Sequence, residues 1–147
     1  MTLYLIRINE EIKRADHLLY VSLKYTRTVD VMRNVIERII NAYTLIIHAL
    51  LEKAKAEIPT SPLMQCDNIR KAYKDDERII EHTDFYLLLR KILKARMTKR
   101  EEFRRHITMS AYIDPVNPTE VTPDNLKEYF FKIKDYIEYL EEEKLVS

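Results

Sequence analysis

Apolar residues recur every three or four positions along most of this chain, the spacing that places them on one face of an α-helix. The pattern predicts a first helix over residues 3–25, where Leu5, Ile8, Ile12, Ala15, Leu19 and Leu23 form the apolar stripe. After a break at 26–28, Thr28 is placed to cap a second helix over 29–57. The apolar face of that helix is broad, which indicates a central helix packed on two sides.

The middle of the chain is less regular. A proline-containing turn at 59–62 ends the second helix. A short helix is predicted over 67–74 with Asp67 as its cap, followed by a longer one over 83–97 with Thr83 as its cap.

The last part of the chain carries two helix-start signals. The segment 98–101, Thr-Lys-Arg-Glu, matches a capping box and predicts a helix to about residue 109. A loop over 110–121 follows, and Thr122-Pro123-Asp124 begins the final helix. Together, the predicted helices indicate an all-α fold. It is an antiparallel four-to-five-helix up-and-down bundle that occupies residues 1–147 as a single domain.

The composition excludes several function classes. None of the 147 residues is glycine, so the chain has no P-loop, no Rossmann fingerprint and no nucleophile elbow. The same absence argues against a sheet-rich fold with tight turns. The one cysteine, Cys66, cannot form an internal disulfide and is expected to be a small apolar residue near a helix start rather than a catalytic thiol. This favours a cytoplasmic location, and no apolar run is long enough to predict a membrane contact.

The charge is nearly balanced overall but unevenly distributed. The net charge is +1, yet residues 90–105 are strongly basic and residues 135–143 strongly acidic. Many Lys, Arg and Glu residues beside sparse Gln also favour a thermophilic source.

Nothing in the sequence predicts a metal or a cofactor. The four histidines form no Glu-x-x-His and no ligand pair at helical spacing. His17 and His48 lie on polar helix strips, and His82 precedes a predicted cap. All three are interpreted as solvated side chains, and His106 remains as the candidate for chemistry.

Three segments together resemble the HEPN family of small helical bundles. Residues 35–52 resemble the family's second helix, with an aromatic residue, then histidine-alanine, then leucines. Arg100 and His106, with five residues between them, match the family's Arg-x(4–6)-His motif. Residues 121–130 resemble the start of its final helix. The resemblance covers nearly the whole chain in helix order.

The resemblance implies a metal-independent endoribonuclease, with the toxin of a toxin–antitoxin pair as one form of it, that acts as a homodimer with its motif at the dimer cleft. Histidine can transfer protons near neutral pH, and a guanidinium can stabilise the phosphorane. Arg100 and His106 are therefore the predicted catalytic residues, although Arg96 or Arg104 could supply the guanidinium instead. The predicted RNA-binding residues are Arg96, Lys99, Arg104, Arg105 and Tyr112. A nucleotidyltransferase-like antitoxin is the implied protein partner.

Two other functions remain open. Glu101 stands where many family members carry Asn, Asp or His, which favours a non-catalytic module that binds RNA, a nucleotide or a protein. A structural subunit of a larger assembly is the third possibility, since seven tyrosines could supply interface surface: Tyr4, Tyr20, Tyr73, Tyr86, Tyr129, Tyr136 and Tyr139.

Overall fold

The structure, a computed structural model, describes the backbone of residues 2–147 and the side chains from residue 3 onward. It contains five helices and one three-stranded antiparallel sheet. In chain order the elements are α1 (Thr2–His17), α2 (Val29–Lys53), α3 (Pro62–Ala72), α4 (Glu77–Lys94), β1 (Arg96–Arg100), β2 (Thr108–Tyr112), β3 (Thr119–Val121) and α5 (Pro123–Glu142). The prediction of an all-α bundle is therefore wrong, because the segment predicted as a helix after residue 98 pairs as strands.

The first helix runs as predicted to the break before α2. It continues beyond α1 through a π-helical turn, Leu18–Ser22, and a last α-helical turn, Leu23–Tyr25. Thr28 caps α2 as predicted, and its hydroxyl accepts a hydrogen bond from the Val31 amide. α2 ends somewhat earlier than predicted, and it packs against α1, α3, α4 and α5. The prediction of a central helix packed on two sides is confirmed.

The two predicted caps in the middle of the chain are wrong. Ser61 caps α3, where Pro62 occupies the first helical position, and Asp76 caps α4 by accepting from the Ile79 amide at 3.1 Å. Asp67 lies inside α3. Thr83 lies inside α4, where its hydroxyl donates to the Ile79 carbonyl at 2.7 Å, the alternative bond that threonine makes within a helix.

The sheet replaces the helix predicted from the 98–101 capping box. β2 is the central strand, with Arg96 opposite Tyr112 on one side and Met109 opposite Val121 on the other. Ile107, Met109, Ala111 and Val121 are fully buried in the core. The first three alternate with period 2, so packing of this strand outweighs the local helix-start signal.

The final helix begins as predicted. The Thr122 hydroxyl accepts from the Asn125 amide, and the Asn125 side chain accepts from the Thr122 amide in return. This capping box orients α5, whose buried residues pack against α2 in the core. Cys66 is fully buried within α3. Among residues 2–147, no helix combines the length and the apolar character needed to cross a lipid bilayer.

His82 is buried, which contradicts its interpretation as a solvated side chain. Its Nδ1 lies 2.7 Å from the Tyr43 hydroxyl, and its ring stacks on Tyr136 at 3.9 Å between centroids. Burial, and to a smaller extent the positive charge of Lys132, lowers the pKa of His82 from 6.5 to about 4. Tyr86 is likewise buried, so Tyr86 and Tyr136 supply core surface rather than the predicted interface surface.

This burial predicts a pH-dependent stability. The pKa of His82 is about 4 in the folded chain and near 6.5 in the unfolded chain, so between pH 4 and pH 6.5 the unfolded chain binds more protons at this residue, by up to one. The free energy of unfolding should fall as the pH drops from 6.5 toward 4, by at most about 1.4 kcal/mol per pH unit from this group. Urea titrations between pH 6.5 and pH 4 measure the free energy of unfolding. In His82→Gln this free energy should fall less steeply with falling pH than in the wild type. Exposed His17→Gln is the control and should keep the wild-type slope; equal slopes in all three proteins would contradict the prediction.

Candidate functional site

The basic segment ends α4 at Lys94 and, from Arg96 onward, forms a hairpin rather than the predicted helix. Arg96, Lys99 and Arg100 lie on β1, and residues 101–107 form the loop that leads to β2. On an ideal helix, side chains six residues apart point about 120° apart and would converge poorly. The loop removes this restriction, because it reverses the chain between Arg100 and His106.

The loop contains two non-glycine residues with left-handed backbone. Glu101 has φ 57° and Phe103 has φ 66°, a region that L-residues other than glycine occupy at a cost. Its internal hydrogen bonds run from the Arg104 amide to the Glu101 carbonyl and from the Ile107 amide to the Arg104 carbonyl. Ile107 is fully buried and fixes the end of the loop in the core.

Contacts with the break between the first two helices hold the loop in place. The Phe103 amide donates to the Arg27 carbonyl at 2.6 Å, and an Arg27 guanidinium nitrogen donates to the Arg105 carbonyl at 3.3 Å. Glu102 accepts from the Val29 amide at 2.9 Å and pairs with Lys99 at 3.0 Å. The hydrogen bond from Val29, together with the charge of Lys99, lowers the pKa of Glu102, so it remains ionised in its position at the start of α2.

A pocket of about 440 Å³ lies between this loop and the start of α5. Its described lining consists of Arg27, Arg100, Glu101, Arg105, His106, Thr108, Thr122, Pro123, Asp124 and Lys127. We call it the basic pocket, because Arg27, Arg100, Arg105 and Lys127 carry positive charge there. The positive end of the α5 dipole adds to the same potential.

Three carboxylates moderate the charge of the basic pocket. Glu101 and Asp124 are part of its lining, and Glu120 on β3 pairs with the Arg100 guanidinium at 3.0 Å. Both side chains of that pair are more than half exposed. Exposed pairs of this kind contribute only about 0–1 kcal/mol, so an anion that binds more tightly can replace Glu120.

The structure brings together some of the residues predicted for the site and separates others. Arg100, Arg105 and His106 line the basic pocket together. Lys99 is engaged by Glu102, and Arg104 is exposed but is not among the lining residues. Arg96 and Tyr112 lie at the other end of the hairpin, where the guanidinium sits 4.7 Å from the ring centroid.

Sequence reasoning missed Arg27 and Lys127. Arg27 lies in the break before α2, and Lys127 lies near the start of α5. Arg27 precedes the predicted start of α2, and Lys127 follows the predicted start of α5. Nothing in the sequence indicates that these two helix starts lie beside the same pocket. Within residues 2–147, no group of three His, Cys, Asp or Glu side chains is arranged to hold a metal ion.

Comparisons with known proteins give no relative for this arrangement: no family model, no curated protein and no solved structure matches the chain.

The role of Glu102 as an anchor predicts a local effect on the loop. Glu102→Ala should remove the acceptor for the Val29 amide and the partner of Lys99, so residues 101–107 should exchange their amide hydrogens faster. Hydrogen–deuterium exchange with mass spectrometry measures this directly. Glu101→Ala is the matched control, since alanine keeps the backbone and the Glu101 side chain makes no hydrogen bond; a similar acceleration in both variants would contradict the prediction.

Proposed function

We propose that the basic pocket binds the phosphate backbone of RNA. The observation that carries the proposal is the convergence of Arg27, Arg100, Arg105 and Lys127 on one pocket beside His106. Guanidinium groups form paired, charge-assisted hydrogen bonds with phosphate oxygens, and a lysine contributes a mobile point charge. Four cationic side chains from three separate parts of the chain make a site suited to a polyanion rather than to a single small acid.

A second candidate function is metal-independent RNA cleavage in the same pocket. It is favoured by the position of His106, which is exposed and lines the pocket together with Arg100. In this reaction the ribose 2′-hydroxyl loses its proton to a base and attacks the adjacent phosphorus. The bond to the 5′-oxygen breaks, an acid protonates that oxygen, and a 2′,3′-cyclic phosphate remains. Arg100 would stabilise the added negative charge on phosphorus.

The HEPN resemblance supports this second candidate, and membership of that family is itself a proposal. His106 is the one histidine among the described lining residues, so a single pocket provides one of the two proton-transfer groups. A homodimer that joins two pockets would provide a second His106, as the resemblance implies. The homodimer and the antitoxin partner stay predictions.

RNA binding should depend on the pocket cations. Arg105→Ala and Lys127→Ala should each weaken the Kd for a single-stranded oligoribonucleotide several-fold and reduce the slope of log K against log salt by about one unit. Fluorescence anisotropy at several salt concentrations measures both quantities. Glu120→Gln, which releases Arg100, should strengthen binding. Exposed Lys71→Ala on α3 is the charge-matched control; an equal loss there would indicate nonspecific attraction and contradict the proposal.

Cleavage should require His106 but no metal. Purified protein should cut single-stranded RNA in EDTA and leave 2′,3′-cyclic phosphate ends that mass spectrometry detects. His106→Ala should lower the rate at least about 100-fold, the usual contribution of a proton-transfer group, while RNA binding persists. His17→Ala, at an exposed position outside the basic pocket, should cleave as the wild type does. RNA that stays intact during long incubation with folded wild-type protein would leave binding as the function.

A further inference from the structure

Two aromatic rings are exposed on the π-helical turn and on α5, and one of them contacts a lysine of the basic pocket. Tyr20, on the π-helical turn after α1, is 39% exposed, and Phe131, on α5, is 52% exposed. The Lys127 ammonium lies 5.8 Å from the centre of the Tyr20 ring, and Lys127 is also part of the pocket lining. The aromatic surface and the basic pocket are therefore continuous through one lysine.

Buried neighbours hold this surface in place. The Tyr20 ring packs against the buried ring of Phe130 with 6.2 Å between centroids. The centroid of the Phe131 ring lies 5.8 Å from that of Phe130. Lys127, Phe131 and Lys134 are spaced so that they share one face of α5. We call Tyr20, Phe131 and these two lysines the aromatic ledge. It interleaves planar rings with positive charge, which is the composition of surfaces that bind single-stranded nucleic acid.

The helix geometry at Tyr20 is itself unusual. Leu18–Ser22 is π-helical between two α-helical stretches, which inserts one residue into the turn and shifts the direction of the side chains that follow. A π-helical turn interrupts the regular α-helical hydrogen bonds, and such turns occur frequently at functional sites. Here the turn leaves Tyr20 and Val21 exposed while Leu19 and Leu23 stay in the core, so it presents the ring toward α5 without loss of core packing.

We infer that the aromatic ledge stacks the unpaired bases of a single-stranded RNA whose phosphates occupy the basic pocket. The inference rests on the proposed RNA binding and adds the substrate class. Bases in a duplex are already stacked and paired, so they cannot reach a protein ring without unpairing. The lysine beside Tyr20 favours a polyanionic ligand over a second copy of the same positively charged surface.

A fluorescent probe can test stacking at the ledge directly, because the chain contains no tryptophan. Tyr20→Trp would place the sole indole on the ledge. Its emission should be quenched by a single-stranded oligoribonucleotide, but not by an abasic ribose-phosphate oligomer of the same length. Ile6→Trp is the control: Ile6 is 57% exposed at the other end of the first helix, and its indole should not respond. Equal quenching by the abasic oligomer, or none by RNA, would overturn the inference.

Affinities separate this inference from the proposed function. Tyr20→Ala and Phe131→Ala should each weaken single-stranded RNA binding about tenfold, leave binding of the abasic oligomer unchanged and keep the salt slope. Ile6→Ala should bind as the wild type does.

If wild-type protein binds RNA and abasic oligomer equally well, the ledge does not stack bases, although phosphate binding stands. If wild-type protein binds neither, the proposed function fails as well. If Tyr20→Ala turns a dimer into monomers, the ledge is a subunit contact and the inference is wrong.

Discussion

The basic pocket depends on a small set of hydrogen bonds between the 101–107 loop and the break before α2. The Phe103 amide donates to the Arg27 carbonyl, and Glu102 accepts from the Val29 amide. The second bond serves two purposes, because it also satisfies a free amide at the start of α2 and places a carboxylate at the positive end of the helix dipole. Without these contacts a charged hairpin loop would extend into solvent, and Arg105 and His106 would not be held beside the start of α5.

A chain without glycine has to place other residues where the loop requires positive φ. Glu101 and Phe103 take that conformation, at a cost that the surrounding contacts must offset. Phe103 gains no burial in return, since its side chain is 74% exposed. The buried Ile107 and the hydrogen bonds to Arg27 hold the loop from both sides. The strained conformation thus occurs at the point where the cationic side chains converge, as is common where structure serves binding rather than stability.

The helices could be predicted from the sequence to the extent that local signals decide them. Thr28 and Thr122 cap α2 and α5 because hydroxyl acceptors meet free amides within a few residues. The sheet could not be predicted in this way, because its pairing joins β1 to β2 and β2 to β3 across separate loops. The signal that was present, alternation of Ile107, Met109 and Ala111, spans too few residues to outweigh a matching capping box at Thr98.

The candidate site was predictable in its residue types but not in its geometry. Arg100 and His106 were selected as a pair by their spacing, yet they share a pocket only because the chain reverses between them. Arg27 and Lys127 could not be assigned, since each looks like an ordinary surface cation until the loop and α5 meet. The histidines also show that the sequence does not reveal which side chains become buried. His82 and His106 are both set among polar residues in sequence, but burial beside Tyr43 and Tyr136 makes one a neutral core group.

The electrostatics of the pocket favour a ligand over an empty site. Several cationic groups held close together repel one another, and within the lining only Glu101 and Asp124 oppose them. Glu120 engages Arg100 from outside the lining, in an exposed pair that contributes about 0–1 kcal/mol. A phosphate diester offers several acceptor oxygens to the same guanidinium groups, and hydrogen bonds to charged partners contribute about 1.5–3 kcal/mol each. In the proposed complex, several phosphate contacts would replace one weak carboxylate contact, and Glu120 would compete more effectively with a lone phosphate than with a chain of them.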